Sequence, residues 1–181
     1  MKCLIIVALV LVGISISESS TLSRDSVPIR ESFSTLYRGA WLEKKEKRNN
    51  VKKYLMLYGV SGPDSQSYAR GPITMECIRV TEEGYKVTGI QPNGVAYNTT
   101  ITYNKEAKRP YQSLGQDYEF DAEVYKDKYS RNVMRFNAYS KANGSLVFYT
   151  LREFIKGGEM RYSHTNVENG VTAFTVYTKW E

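Results

Sequence analysis

The chain is short of the residues that make covalent staples and nucleophilic or metal chemistry: of 181 residues, one is histidine and two are cysteine. One histidine, with no serine in a Gly-x-Ser-x-Gly setting, cannot supply a nucleophilic triad. No cluster of metal-ligand spacing occurs. Enzymatic activity, a metal and a cofactor are therefore not expected. Cys3 lies in a segment read below as a leader, so Cys77 stands alone in the remaining chain and no internal disulfide can form. In the strand-like run Ile73 to Val80 it reads as a small buried apolar residue. Long apolar runs are also missing. The longest, Leu4 to Val12 extended through Ile14 and Ile16, is well short of the ~20 residues a spanning helix needs. Charge of one sign is limited too: the net charge is +6, with acidic residues interspersed throughout, unlike the clustered basic face of a nucleic-acid binder. That surplus is enough for transient contact with anionic membranes.

Lys2, the apolar run, and the small residues Ser15 and Ser17 before Glu18 have the layout of a secretory signal peptide. The expectation is a signal over residues 1–17, cleaved after Ser17, a polar tail over 18–31, and one domain over 32–181 of a secreted, extracellular monomer. Secretion makes Asn98-Thr99-Thr100 and Asn143-Gly144-Ser145 candidate glycosylation sites, at Asn98 and Asn143. The second lies in a turn and should be exposed; the first lies at a strand start.

A strand opening at Gly39-Ala40-Trp41 runs into two short helical segments. The first opens on Asn50, whose side chain can accept a free backbone N–H, and closes at Gly59. The second spans Pro63 to Ala69, with Pro63 in the tolerated first turn. From Arg70 onward only strands and turns follow, with Glu82-Glu83-Gly84, Pro92-Asn93-Gly94, Gly157-Gly158 and Asn169-Gly170 as connections. Asn104 to Pro110 reads as a charged loop insertion. Short connections favour an antiparallel up-and-down meander, and closure into a barrel removes exposed edges. About ten strands make a barrel wider than the eight whose interior is just filled by side chains. A cavity under a helical lid is implied. The 15 tyrosines suit a cavity wall, although β-propensity alone accounts for most of them.

Four segments resemble the fatty-acid-binding proteins of the intracellular lipid-binding (calycin) family, in their secreted form. Tyr37-Arg38-Gly39-Ala40-Trp41 is similar to the family's aromatic-x-Gly-x-Trp opening, and Tyr54 to Val60 to its helix ending in Gly-Val. Leu114-Gly115-Gln116-Asp117-Tyr118-Glu119-Phe120-Asp121 and Thr150-Leu151-Arg152-Glu153-Phe154 resemble two of its strands. The resemblance, over Ser32 to Trp180, implies an all-β, ten-stranded antiparallel barrel of two near-orthogonal sheets with a helix-turn-helix lid after the first strand. It implies a lipid carrier that reversibly holds a long-chain fatty acid or similar hydrophobic ligand. A lipocalin-type carrier is the alternative, but that family places its helix after the barrel strands.

In the family, two strand arginines and a tyrosine hold the ligand carboxylate. Arg152 matches one arginine and Tyr177 the tyrosine, while Thr175 stands where the second arginine would be. Strand alternation puts Phe148, Thr150, Arg152 and Phe154 on one face, and Tyr162 and His164 on one face of the penultimate strand. Arg152 either faces the cavity or lies on the surface paired with Glu153; His164 is either a ligand contact or an ordinary hydrogen-bonded histidine. Tyr54, Leu55 and Leu57 are expected to line the portal, with Lys52 and Lys53 facing solvent.

Overall fold

A computed structural model describes residues 34–113, 116–155 and 157–180. The expected signal (1–17), the tail (18–31) and the Leu114-Gly115 pair of one motif lie outside the described residues. The chain builds ten strands and a helical pair: β1 (Gly39–Asn49), α1 (Val51–Leu57), α2 (Gly62–Arg70), β2 (Met75–Val80), β3 (Gly84–Ile90), β4 (Ala96–Thr102), β5 (Asn104–Ser113), β6 (Gln116–Lys126), β7 (Asn132–Ser140), β8 (Leu146–Phe154), β9 (Met160–Asn166) and β10 (Thr172–Lys179). All neighbouring pairs are antiparallel, in the order β4-β3-β2-β1-β10-β9-β8-β7-β6-β5. This is an up-and-down meander curled into a barrel under a helical lid, with β4 and β5 at the two ends of the strand order.

The tenth strand is β5, where a charged loop insertion was expected. The charges of Lys108 and Arg109 suit an edge strand, which must not invite further pairing, and Pro110 lacks an N–H that an edge can do without. Strong polarity hid a strand whose outer side has no partner.

Alternation places one side of every strand in the core: Trp41, Ile78, Val87, Ile101, Phe120, Phe136 and Phe148 are all buried there. The same alternation corrects the reading of Cys77. With Glu76, Ile78 and Val80 inward, Cys77 is on the outer face and only half-buried. The lower end of the barrel is plugged by a helical turn at 34–37. Its Tyr37 is fully buried, donates its hydroxyl to the carbonyls of Asn132 (2.7 Å) and Arg152 (2.8 Å), and accepts the Trp41 indole N–H at its own carbonyl (2.9 Å).

The lid begins at a hinge rather than a side-chain cap. Asn50 has φ 54°, the left-handed region that asparagine tolerates best after glycine. Its carbonyl accepts the Tyr54 N–H (2.9 Å), and its side-chain amide, instead of capping α1, donates to the Thr172 carbonyl on β10 (3.1 Å). Ser61 caps α2 by accepting the Asp64 N–H (3.2 Å). The far end of α2 is held by Arg48 at the end of β1. Its guanidinium donates to the carbonyls of Ala69 (3.1 Å), Gly71 (3.0 Å) and Pro72 (2.6 Å) and forks onto Glu43 (2.5 and 2.6 Å). Glu43 in turn accepts the Thr74 N–H (2.9 Å) and hydroxyl (2.7 Å) and the Thr175 hydroxyl (2.8 Å). Burial acts to raise the Glu43 pKa, but these hydrogen bonds outweigh it and hold the carboxyl below its usual range.

Arg48→Ala would leave Glu43 buried without its counter-ion and the α2 carboxyl end without its donors. The expected loss is about 3–5 kcal/mol of unfolding free energy, read by chemical denaturation; a loss within ~0.5 kcal/mol, typical of an unremarkable surface site, would contradict the anchoring role.

Candidate ligand cavity

The interior holds two adjoining chambers of about 110 Å³ each, sharing walls at Tyr68, Thr74, Pro92, Tyr162, His164 and Tyr177. Six tyrosines line the first: Tyr68, Tyr85, Tyr97, Tyr111, Tyr162 and Tyr177. Apolar wall comes from Val87, Ile101, Phe136 and Phe148. Together the chambers are at or below the ~300 Å³ at the small end of ordinary ligand pockets, so an extended acyl chain needs the lid or a tyrosine to move.

Most of the residues singled out in the sequence converge here. Phe148, Thr150, Arg152, Tyr162, His164 and Tyr177 line the first chamber; Thr175 lines the second and is engaged with Glu43. Tyr54 and Leu55 are buried under the lid, whereas Leu57 is 37% exposed and faces outward with Met56. The inward partner on α1 is instead Tyr58, one turn after Tyr54. Its hydroxyl accepts from the Tyr54 hydroxyl (3.3 Å) and the Asn166 amide (3.2 Å), and its ring meets Phe148 edge-on at 6.3 Å. With Tyr54 and Leu55 both buried, the 3.6-residue period brings Tyr58 to the centre of the inner face and leaves Leu57 at its margin. Lys52 and Lys53 are exposed, and so are Asn98 on edge strand β4 and Asn143 in its turn.

Arg152 faces the cavity, and its partner is not Glu153. Glu153 points outward and pairs with Arg131 and Arg161 at 3.0 Å each. Across the barrel interior, Arg152 meets Glu76 of β2, with Nη1–Oε1 at 2.7 Å and Nη2–Oε2 at 3.2 Å. Their side chains are 5% and 1% exposed. The Tyr97 hydroxyl donates to Glu76 Oε2 (3.0 Å), and the Tyr162 ring lies under the guanidinium at 3.6 Å. Gly89 makes this possible: it pairs with both Glu76 and Tyr97, and a Cβ there would come within 2.6 Å of the Tyr97 hydroxyl. Burial acts to lower the Arg152 pKa, but the Glu76 carboxylate and nearby phenols outweigh it and hold the charge firmly. Burial, then the same carboxylate, pushes Tyr97 up, so its phenol remains a donor.

Glu76 and Glu43 were not among the expected site residues. Their signal was present: each is a lone carboxylate on the apolar face of its strand, Glu76 with Ile78 and Val80, Glu43 with Trp41.

His164 sits between Tyr162 (ring centroids 4.5 Å) and Tyr54 of the lid (5.6 Å). Its Nδ1 is buried without a hydrogen-bond partner. Burial, with the Arg152 charge adding to it, pushes its pKa down to about 3. The imidazole is therefore neutral at physiological pH. Among the described residues no group of acidic, cysteine and histidine side chains could hold a metal ion.

Several solved structures share this fold. The REP1-NXSQ fatty acid transporter is 13% identical with a TM-score of 0.60, covering 80% of this chain and 96% of that one. A variant of the fluorescent protein UnaG is 14% identical with a TM-score of 0.62, covering 81% and 98%. A secretary abundant heat soluble protein from Ramazzottius varieornatus is 13% identical with a TM-score of 0.58, covering 80% and 96%. At the level of sequence, no family model and no curated protein matches the chain.

Two outcomes follow from the site. Glu76→Ala, leaving Arg152 buried alone, should destabilise the protein by about 3–5 kcal/mol, whereas the Glu76→Met/Arg152→Met pair should come close to wild type; equilibrium unfolding of both variants decides it. His164 has a folded pKa of about 3 against 6.5 for the free side chain, so the unfolded state alone binds its proton between those values. Stability from this group is complete above pH 6.5 and is lost as pH falls towards 3, at up to about 1.4 kcal/mol per pH unit. Denaturation midpoints of wild type and His164→Phe, compared at neutral pH and near pH 4, should diverge by this contribution; parallel pH dependence would show that His164 titrates normally.

Proposed function

We propose that this chain is a secreted carrier that takes a hydrophobic ligand, a fatty acid or similar lipid, reversibly into its barrel. The observation that carries the reading is a lidded interior in which Arg152, paired with Glu76 and covered by Tyr162, and His164 stand among walls made mainly of aromatic and apolar side chains. Such a wall with a few placed polar groups is the usual make-up of a small-molecule site. The REP1-NXSQ protein of the same fold is a fatty acid transporter by its description, which supports the reading by analogy of fold. No step of bond making is required of any residue here. Each methylene moved from water into the barrel contributes about 0.8 kcal/mol, so a ligand of ten or so carbons offsets the several kcal/mol lost on association.

Entry is through the lid. α1 and α2 are fastened at Asn50 and at Arg48, while the turn between them meets the barrel through Tyr58, whose hydroxyl accepts from the Asn166 amide (3.2 Å). Lys52 and Lys53 on the outer side of α1 would meet an anionic membrane during transfer.

Saturable displacement of a fluorescent lipid analogue from the delipidated protein, at one site per chain, is the expected result; no saturable displacement by any lipid would end the carrier reading. Tyr54→Ala should speed ligand release by roughly tenfold, equivalent to about 1.4 kcal/mol, in stopped-flow transfer to vesicles. An unchanged rate would move the portal away from α1.

A further inference from the structure

An arginine inside an apolar barrel asks for a carboxylate, and in this chain the carboxylate is already there. Glu76 occupies both forks of the Arg152 guanidinium, at 2.7 and 3.2 Å, and the Tyr162 ring covers one face of the same group at 3.6 Å. A ligand carboxylate arriving at Arg152 would sit beside Glu76 among side chains that are almost fully buried, and like charges there repel strongly. Among the described residues lining the chambers no other unpaired cation stands ready. Among the described residues lining the two chambers, the remaining charged groups are Glu43 and Arg48, which bond each other. Thr175, on β10, brings no charge and gives its hydroxyl to Glu43. The charges of the described residues around the chambers thus cancel in pairs before any ligand enters.

A polar requirement is left open at His164. His164 lines both chambers, directly beneath Tyr54, and its Nδ1 is buried with no hydrogen-bond partner. A half-turn of the ring about Cβ–Cγ exchanges Nδ1 with Cδ2, so the nitrogen can be turned to the chamber wall. In a neutral imidazole that nitrogen is a donor in one tautomer and an acceptor in the other. A hydroxyl satisfies either; a carboxylate satisfies only the donor form and brings a charge that nothing balances.

We infer that the ligand is an uncharged hydrophobic alcohol, with its hydroxyl on His164 and its apolar body along Phe148, Phe136, Val87 and Ile101. This rests on the carrier reading above and narrows it to a ligand class. Arg152 then organises the cavity wall and does not read a ligand charge.

The test is competition at neutral pH between hexadecanol and hexadecanoate, of equal chain length, for a neutral fluorescent probe on the delipidated wild-type protein. The alcohol should displace the probe at a concentration roughly tenfold or more below the acid, the scale of one unbalanced polar interaction. Glu76→Gln should invert the order by freeing Arg152 for the acid, and His164→Phe should weaken the alcohol while leaving the alkane hexadecane unchanged. If Glu76→Gln does not fold, the Glu76→Met/Arg152→Met double variant replaces it. That protein should keep the alcohol preference, and losing it would place the alcohol on Arg152 and overturn the inference. Wild-type preference for the acid, or equal affinity for both, overturns the inference and leaves the carrier reading standing. Saturable binding of neither overturns both.

Discussion

The Glu76–Arg152 pair is the constraint around which the rest of the interior is arranged. β2 and β8 are four places apart in the sheet order, so this contact crosses the lumen instead of running along the ladder. It fixes the distance between opposite walls and, through them, the chambers on either side. Tyr97 reaches Glu76 only because Gly89 has no side chain, and Tyr162 lies flat under Arg152. Tyr37, from the plug at the bottom, bonds the Arg152 carbonyl and fixes the same residue from behind. A buried pair of this kind adds little net stability over an apolar pair of the same volume, yet removing either partner is expensive. Its electrostatic consequence is that each charge of the pair is already met by the other.

A second pair, Glu43–Arg48, does for the lid what the first does for the barrel. Arg48 collects carbonyls at the end of α2 and just past it, those of Ala69, Gly71 and Pro72, and Glu43 ties that knot to the start of β2 and to β10 through Thr74 and Thr175. The lid is therefore firmly attached at both ends where it joins the barrel. What holds its middle down is aromatic packing, Tyr54 against His164 and Tyr58 against Phe148. Helices of seven and nine residues are not stable by themselves, so this packing decides whether the lid is shut. Ligand in the chamber and lid on the barrel then share the same side chains, His164 and Phe148, which couples filling to closure.

Much of this was legible in the sequence because a half-buried strand writes its burial into every second residue. The strand from Leu146 to Phe154 shows it: Phe148, Thr150 and Arg152 were placed on one face by alternation and do face the cavity. The helical pair followed from Gly59 and Pro63. What escaped did so for identifiable reasons. β5 is an edge strand, and its charges hid the period. Leu57 was given to the inner face on hydrophobicity, where the helical period points to Tyr58. Asn50 has the composition of a cap but the backbone of a hinge. Glu76 was passed over because a pairing between strands 76 residues apart leaves no local trace. Only the oddity of one acid on an apolar face marks it.

The most direct test of a neutral interior is the identity of what the protein carries. Protein produced in its own cells, purified without delipidation and analysed by native mass spectrometry followed by extraction of the ligand, should release an uncharged lipid bearing a hydroxyl, at one per chain. Release of a free fatty acid at the same stoichiometry would contradict the account, because it would mean that Glu76 yields Arg152 to the ligand.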